Sequence, residues 1–310
     1  MTYQFGPDEP IEEGTRRIAR EEIDGAIEAL SWDDRDAAVH DVRKRFKKLR
    51  ALLRLAHDHS DKEVLRARVV AFRDAARTIA ELRDSRVLLD AVEALAQETG
   101  ADLPTLAATH EVLAARHGQL CIRHLDDEEA LARLEPPLRA FRAEVDGWQL
   151  SARTFAEIAP RLARTHRKGR RAHRVAGGAP TLENLHQWRK RVKDLWYHAT
   201  LLLGRPGPGG PADAGDALVA HLDALGGHLG LDHDYALLRQ LATEGALPAL
   251  DPASEATNYL CGLVDRRRAV LQALSWPLGE HIYDARPSAF VAQVDQLRSG
   301  RRARLGSAAD

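Results

Sequence analysis

Cysteines are scarce in this sequence of 310 residues, and long apolar runs are absent. Cys121 and Cys261 are too few for a disulfide framework, and neither has a second cysteine or a close pair of histidines at zinc-site spacing. No apolar run approaches the roughly 20 residues of a membrane span. The first ten residues are acidic and polar, unlike a secretory signal. We therefore expect a cytoplasmic protein with no membrane partner, no disulfide framework, no metal site and no cofactor.

Strand patterns are lacking as well, because no stretch alternates polar residues with Val, Ile and other apolar residues. Aromatic residues make up only 5% of the chain, whereas alanine, leucine, arginine and glutamate dominate it. Hydrophobic residues make up 44% and charged residues 29%, a balance that excludes a disordered chain. The predicted fold class is all-α.

Positive charge is concentrated rather than abundant. The net charge of −1 predicts no nucleic-acid or membrane partner for the protein as a whole. Between Arg161 and Lys193, however, eleven lysines and arginines face one acid, Glu183. Between Val39 and Leu55 there are seven against one. The chain is therefore expected to present positive charge locally.

An internal repeat organises the chain. The motif H-x-x-R-K-R-x-K-x-L begins at His40 and again at His186, without a gap. Further on, the segment from Arg83 to Leu89 aligns with the segment from Leu231 to Leu237. We therefore predict two pseudo-symmetric helical bundles in tandem, residues 1–147 and 148–310, with a basic groove between and across them.

Glycine, proline and capping residues divide each half into helical segments. In the first half we predict helices over residues 11–30, 35–57, 62–80, 84–97 and 104–124, with a short piece after Pro137. In the second half we predict helices over residues 160–176, 181–203, 213–228, 232–243 and 254–274, with short pieces from Leu278 and Pro287. The segment from Gly204 to Gly215, rich in Gly and Pro, is interpreted as a loop inside the second half.

Both motif helices have an apolar stripe and, opposite it, a basic arc. The predicted core stripes consist of Val42, Phe46, Leu49 and Leu53 in the first copy and Trp188, Val192, Leu195 and Ala199 in the second. A solvated helix face ordinarily mixes charges, since like charges at i, i+3 and i+4 repel. Single-signed arcs in both copies favour an anion site, with a solvated or internally paired face as the alternative.

The predicted anion-binding residues come from the two motif helices and from a third basic segment, which starts near Arg161. The histidines could instead be hydrogen-bonding residues at the edge of the core, but their recurrence favours binding. The complete predicted set is His40, Arg43, Lys44, Lys47, Arg50, Arg164, Arg167, Lys168, Arg171, His186, Arg189, Lys190 and Lys193. Asp84 and Asp232 are predicted to begin helices, as caps or as salt-bridge partners of a basic helix.

At these motifs the sequence resembles the conserved histidine α-helical domain, CHAD. The segments that carry the resemblance are residues 40–53, 83–89, 164–171, 185–197 and 278–290. The resemblance implies two helical bundles with a basic surface and non-catalytic binding of inorganic polyphosphate, at polyphosphate granules or with polyphosphate-metabolising proteins. His166 stands where the family commonly has a tyrosine.

Two other functions compete with polyphosphate binding. The dipeptides His40-Asp41, His57-Asp58 and His233-Asp234 suggest an HD-type metal phosphohydrolase, but a divalent cation near His40 would sit among cations. Nucleic-acid backbones would also be neutralised by the basic arcs. No exposed aromatic residue interrupts the arcs to stack on bases, which favours a polymer made of phosphate alone. We therefore expect a binding protein rather than an enzyme.

Overall fold

The computed structural model describes residues 3–56, 62–99, 104–127, 129–150, 152–207, 213–247 and 251–307. Throughout these ranges the regular structure is helical and no strand forms, which confirms the all-α prediction. The helices are α1 (Ile11–Ala29), α2 (Arg35–Ala56), α3 (Lys62–Thr78), α4 (Ala80–Thr99), α5 (Pro104–Cys121), α6 (Glu135–Glu144), α7 (Phe155–Gly178), α8 (Leu182–Leu203), α9 (Ala214–Thr243), α10 (Glu255–Tyr283) and α11 (Pro287–Ser307). A π-helical turn, Ile122–Asp127, follows α5.

Helix α9 corrects one prediction. We expected a break between residues 228 and 232, next to Gly226, Gly227 and Gly230, but the helix is continuous over 30 residues. Two of these glycines are in close contact with α8: a Cβ at Gly226 would lie 2.7 Å from Lys193 Cδ, and one at Gly230 would lie 3.1 Å from Arg189 Nη2. The glycines therefore permit close approach of two helices rather than ending one.

The carboxy-terminal helices are longer than predicted. Helix α10 continues through Pro277 to Tyr283, although a proline removes one hydrogen bond of the helix. Packing offsets that loss, because Trp276 stacks on Trp188 with ring centroids 4.9 Å apart. Helix α11 has 21 residues where a short piece was expected. Tertiary contacts override the local helix-ending signals here.

The two motif helices, α2 and α8, contact each other. The buried His198 on α8 donates from Nε2 to the carbonyl oxygen of Ala51 on α2, over 3.1 Å. One turn along α2, Arg54 pairs with Asp194 of α8 at 3.0 Å. The segment before α1 bridges the same helices, because the Phe5 amide donates to Leu201 O and the Tyr3 hydroxyl donates to Lys48 O.

The hydrophobic core forms two clusters, and both combine residues of the two predicted halves. The larger cluster contains Ile18 of the first half and Trp188 of the second. The smaller one contains Leu89 of the first half and Tyr235 of the second. The division into residues 1–147 and 148–310 stays a prediction, and both segments contribute to each of the two clusters.

Two remaining predictions concern loops and membranes. Helix α8 ends at Leu203, and Gly204 has φ +77, a left-handed conformation that glycine adopts without strain. The predicted loop from Gly204 to Gly215 is confirmed from Gly204 to Gly207, whereas α9 already begins at Ala214, and residues 208–212 lie outside the described part of the chain. Among the described helices, none combines the length and the apolar character needed to cross a bilayer.

We predict that Gly279→Ala destabilises the fold. A Cβ at Gly279 would lie 2.5 Å from Trp188 Cζ2 and 2.9 Å from His173 Cδ2, so rigid rings must move. We expect a loss of about 1–3 kcal/mol in the free energy of unfolding, measured by urea denaturation. Gly262→Ala is the matched control on α10, because its Cβ would meet only Arg266 Nη1 at 3.6 Å. Equal stability of the two variants would contradict the tight packing at Gly279.

Candidate anion-binding site

The apolar stripes of α2 and α8 are buried as predicted. The exposed fraction is at most 1% for every predicted stripe residue, namely Val42, Phe46, Leu49, Leu53, Trp188, Val192, Leu195 and Ala199. Because opposite faces of a helix point in opposite directions, burial of the stripes turns the basic arcs away from the core. His40, Lys47 and Lys190 are accordingly exposed, and the other arc residues are partly exposed.

Lys47 is the point where cations from both halves of the chain meet. Partial desolvation, followed by the charges of Arg43, Arg189, Lys193 and Arg83, lowers the pKa of Lys47 to about 8. The side chain nevertheless remains open to solvent. An effect of Arg189 and Lys193 on Lys47 requires the arcs of α2 and α8 to lie close together. The two predicted arcs therefore lie close together at Lys47, as one shared basic surface would require.

Histidines lie beside the cations of both arcs, and each has a lowered pKa. On the second-half side, the rings of His186 and His233 stack with centroids 4.1 Å apart. Burial and the charges of Lys190 and Arg189 lower the pKa of His186, and burial and His186 lower the pKa of His233 to about 4. Burial, followed by the charges of Arg83, Lys44 and Lys47, lowers the pKa of His40.

Helix α7 adds a second group of cations beside α8. Its predicted site residues Arg164, Arg167, Lys168 and Arg171 are all exposed. Burial and the charges of Arg164 and Arg191 lower the pKa of Lys168. The charge of Arg54 acts in the same direction, and that of Asp194 opposes it. The pKa of Arg50 on α2 is lowered by burial and by Arg54, with Asp194 opposing. Positive charge therefore extends from Lys47 through Arg50 toward α7.

Three of the predicted cations are already engaged within the protein. Arg43 donates to Ala76 O over 2.7 Å and lies 3.8 Å from a carboxylate oxygen of Asp84. Lys44 pairs with Asp41 at 2.6 Å, and Lys193 pairs with Asp223 at 3.3 Å. No ion pair within the described ranges involves His40, Lys47, Arg50, Arg164, Arg167, Lys168, Arg171, His186, Arg189 or Lys190. These unpaired residues are the cations and imidazoles available to a ligand.

Sequence analysis missed three residues of this surface, Arg83 on α4 and His233 and Asp234 on α9. Asp234 is distinctive, because burial raises the pKa of its carboxyl to about 6 while Arg189, Arg83 and Lys47 act in the opposite direction. It forms no ion pair or hydrogen bond with a described residue. The alignment of residues 83–89 with residues 231–237 was the signal that could have placed all three at the site.

Several other sequence predictions are resolved by the structure. Asp84 and Asp232 do not begin helices: Asp84 lies inside α4, which starts earlier than expected, and Asp232 lies inside α9, which lacks the expected break. Asp84 still pairs with a motif helix, through Arg43, whereas Asp232 pairs with Arg268 of α10 at 3.1 Å. His166 is fully buried, donates to Ile282 O over 3.0 Å and stacks on Phe290.

The HD dipeptides differ in their surroundings. The carboxylate of Asp41 is held by Lys44 and Arg45. Asp234 lies among the cations of the basic surface. His57-Asp58 falls outside the residues that the structure describes.

Burial, followed by the surrounding cations, makes the charged form of Lys47 costly in the free protein. Because the folded pKa of about 8 is below the ordinary 10.5, the unfolded chain binds more protons between these values. The penalty is therefore present below pH 8 and disappears as the pH rises toward 10.5. Since the side chain is open to solvent, we discount the penalty to on the order of 1 kcal/mol.

We predict that Lys47→Met raises Tm at pH 7 by about 2–4 °C. The matched control is Lys48→Met, which should lower Tm, because Lys48 pairs with the buried Glu22 at 2.6 Å. Differential scanning calorimetry at pH 7 and pH 10 measures both effects, and the gain from Lys47→Met should shrink at the higher pH. A lower Tm for Lys47→Met at pH 7 would contradict the unfavourable charge environment.

Comparison with known proteins identifies the family. The family model described as CHAD domain matches residues 17–243, most of the sequence. Among solved structures, the fold is similar to PptA from Streptomyces chartreusis, with a TM-score of 0.57 and 16% identity over 89% of this chain and 100% of that chain. No curated protein sequence matches significantly. The match of the family model over most of its length shows that this chain belongs to the CHAD domain family.

Proposed function

We propose that the chain binds inorganic polyphosphate, without catalysis, on the basic surface formed by α2, α7, α8 and α9. The observation that carries the proposal is the group of cations around Lys47: burial, followed by the charges of these cations, lowers the pKa of that lysine to about 8. Like charges held close together raise the energy of the free protein. A polyanion placed among these cations removes the repulsion. The unfavourable electrostatic free energy of the free protein is then relieved on binding and contributes to the affinity.

The length of the surface supports a polymer rather than a single phosphate. His40 and Arg50 are ten residues apart on α2, which is about 15 Å along a helix. Beyond Arg50, the exposed cations of α7 continue the positive surface. A ligand that contacts both regions must carry several phosphates.

The chemistry of the surface favours polyphosphate over nucleic acid. The aromatic residues of the motif helices, Phe46 and Trp188, are buried in the core. Trp196 is covered, because the ammonium group of Lys193 lies 3.7 Å from its ring centroid. Without an exposed aromatic ring for base stacking, the contacts of these helices would be to phosphate alone.

The surroundings of the carboxylates support binding rather than hydrolysis. Asp41, the acid in the repeated motif, is held by Lys44 and Arg45. Asp234 lies near Arg189, Arg83 and Lys47, whose charges repel a divalent cation.

We extend the proposal to association with polyphosphate granules and with polyphosphate-metabolising proteins. Fluorescence colocalisation tests this association.

The proposal is tested by competition. Labelled polyphosphate is bound to the full chain and displaced with unlabelled polyphosphate, RNA or DNA at equal phosphate content. We expect polyphosphate to displace the label at much lower concentration than either nucleic acid. Equal displacement by RNA or DNA would favour the alternative of nucleic-acid backbone binding, and release of phosphate during incubation with Mg²⁺ or Mn²⁺ would contradict the absence of catalysis.

We predict that Arg189→Gln with Lys190→Gln weakens polyphosphate binding by roughly tenfold to a hundredfold at low salt, because a hydrogen bond to a charged group contributes about 1.5–3 kcal/mol. The slope of log affinity against log salt should also become shallower by about 1.5, taking the nucleic-acid value of 0.7–0.9 per contact. The control is Arg133→Gln with Arg139→Gln, two exposed arginines remote in sequence from the site. Equal losses in both double variants would place the binding elsewhere.

We predict that Asp234→Asn strengthens polyphosphate binding at pH 7.5 by roughly threefold to tenfold. Above its pKa of about 6 the carboxylate is ionised and repels the polyanion, and below that pKa it is neutral. Wild-type affinity should therefore rise as the pH falls through 6, and the variant should lack this step. In the Asp234→Asn variant, any further rise in affinity as the pH falls should come from protonation of His40, His186 and His233. Replacing these three histidines with glutamine should remove that rise. A wild-type step that persists in Asp234→Asn would contradict the assignment.

A further inference from the structure

Three metal-ligating side chains converge at the start of α2, outside the basic surface. His117 Nε2 lies 3.0 and 3.1 Å from the two carboxylate oxygens of Asp36, and 3.4 Å from Cys121 Sγ. One donor atom from each of the three residues lies within 4.8 Å of the other two. His117 and Cys121 are one turn apart on α5, whereas Asp36 is 81 positions away in sequence from His117. The fold therefore creates this cluster from two separate segments.

The hydrogen bonds of Ser85 determine which nitrogen of His117 faces the cluster. The Ser85 hydroxyl has a single proton and donates it to Leu82 O over 2.8 Å. Its oxygen must then accept from Nδ1 of His117, also at 2.8 Å. A neutral His117 therefore presents the lone pair of Nε2 to the acceptor oxygens of Asp36. Only a cation between these groups, a proton on Nε2 or a metal ion, makes the contact favourable.

The spacing of the donors suits a tetrahedral metal ion. With Zn–N and Zn–O bonds of about 2.0 Å and a Zn–S bond of about 2.3 Å, tetrahedral angles separate the donor atoms by about 3.3–3.6 Å. The distance of 3.4 Å between His117 Nε2 and Cys121 Sγ falls in that range, and the contacts of 3.0 and 3.1 Å between His117 Nε2 and Asp36 are slightly shorter. We infer that Asp36, His117 and Cys121 bind Zn²⁺ or a similar transition-metal ion, with a fourth position left for water.

The surroundings favour a divalent cation. The carboxylate of Asp36 lies directly against His117, and a metal ion would neutralise its negative charge, whereas the cations around Lys47 would repel such an ion. Ser85 acts as the outer partner that fixes ring orientation, as such partners do for metal-bound histidines. The side chain of His117 is 10% exposed and that of Asp36 is 36% exposed, so an ion can enter from the side of Asp36.

The cluster links helices that carry the basic surface. Asp36 precedes His40 by one turn of α2, and Ser85 follows Arg83 by two residues on α4. A metal ion at the cluster would join α2 to α5 through Asp36, and the hydrogen bond between His117 and Ser85 joins α5 to α4. We therefore assign the ion a structural role, in which it stabilises the folded protein without contacting the polyanion.

The test uses metal alone, without polyphosphate. Metal-free full-length protein is titrated with Co²⁺, which gives an intense near-ultraviolet charge-transfer band when a thiolate is a ligand. We expect one equivalent of Co²⁺ to produce this band, excess Zn²⁺ to abolish it, and Cys121→Ser to lack it. The matched control is Cys261→Ser, which changes the other cysteine and should retain the band. A wild-type protein without the band, or a band that persists in Cys121→Ser, would overturn the assignment.

A second measurement covers the case in which Cys121→Ser fails to fold. In the Cys261→Ser background Cys121 is the single thiol, and its rate of alkylation is measured with and without Zn²⁺. We expect Zn²⁺ to slow alkylation at least tenfold and to raise Tm, and we expect Asp36→Asn and His117→Gln to remove both effects. If Zn²⁺ does not change the rate of alkylation, the assignment is overturned. The contact between Asp36 and His117 is then an ordinary polar contact without a metal ion.

Discussion

The close approach of like charges around Lys47 is the constraint on which the rest of the structure depends. Cations from α2, α4 and α8 are held within interaction distance of this one ammonium group. Repulsion of this kind would separate free helices, so other contacts must hold α2 and α8 together. The buried stripes, led by Phe46 and Trp188, supply the apolar contribution, and the hydrogen bond from His198 to Ala51 O fixes the contact between the helices.

Compensating charge is distributed around the basic surface rather than within it. Glu22 is buried and pairs with Lys48 and Arg45, on the side of α2 that faces α1. Asp194 pairs with Arg54 and Arg191, and Asp223 pairs with Lys193 and Arg205. A net charge of −1 therefore coexists with the cations around Lys47, because the acids pair mainly with neighbouring residues, and Lys47 and Arg189 themselves form no ion pair with a described residue.

The sequence predicted what depends on local periodicity and repetition. The core stripes of α2 and α8, the exposed cations and the helical class all follow from spacing, and the structure confirms them. Features set by tertiary contacts could not be predicted in this way. Gly226 and Gly230 suggested a helix break although they serve close packing, and Pro277 suggested an end although Trp276 packs on Trp188. Asp36 approaches Cys121 only after folding.

The continuity of α9 connects these features to function. Its glycines allow Lys193 and Arg189 of α8 to lie directly against the helix, and the following turn carries His233 and Asp234. A break between residues 228 and 232 would separate the glycines that contact Lys193 and Arg189 from His233 and Asp234, on which Arg189 acts. One rigid helix instead fixes all four side chains relative to Lys47. Because little conformational freedom remains to be lost there, more of the electrostatic attraction is available as affinity for a polyanion.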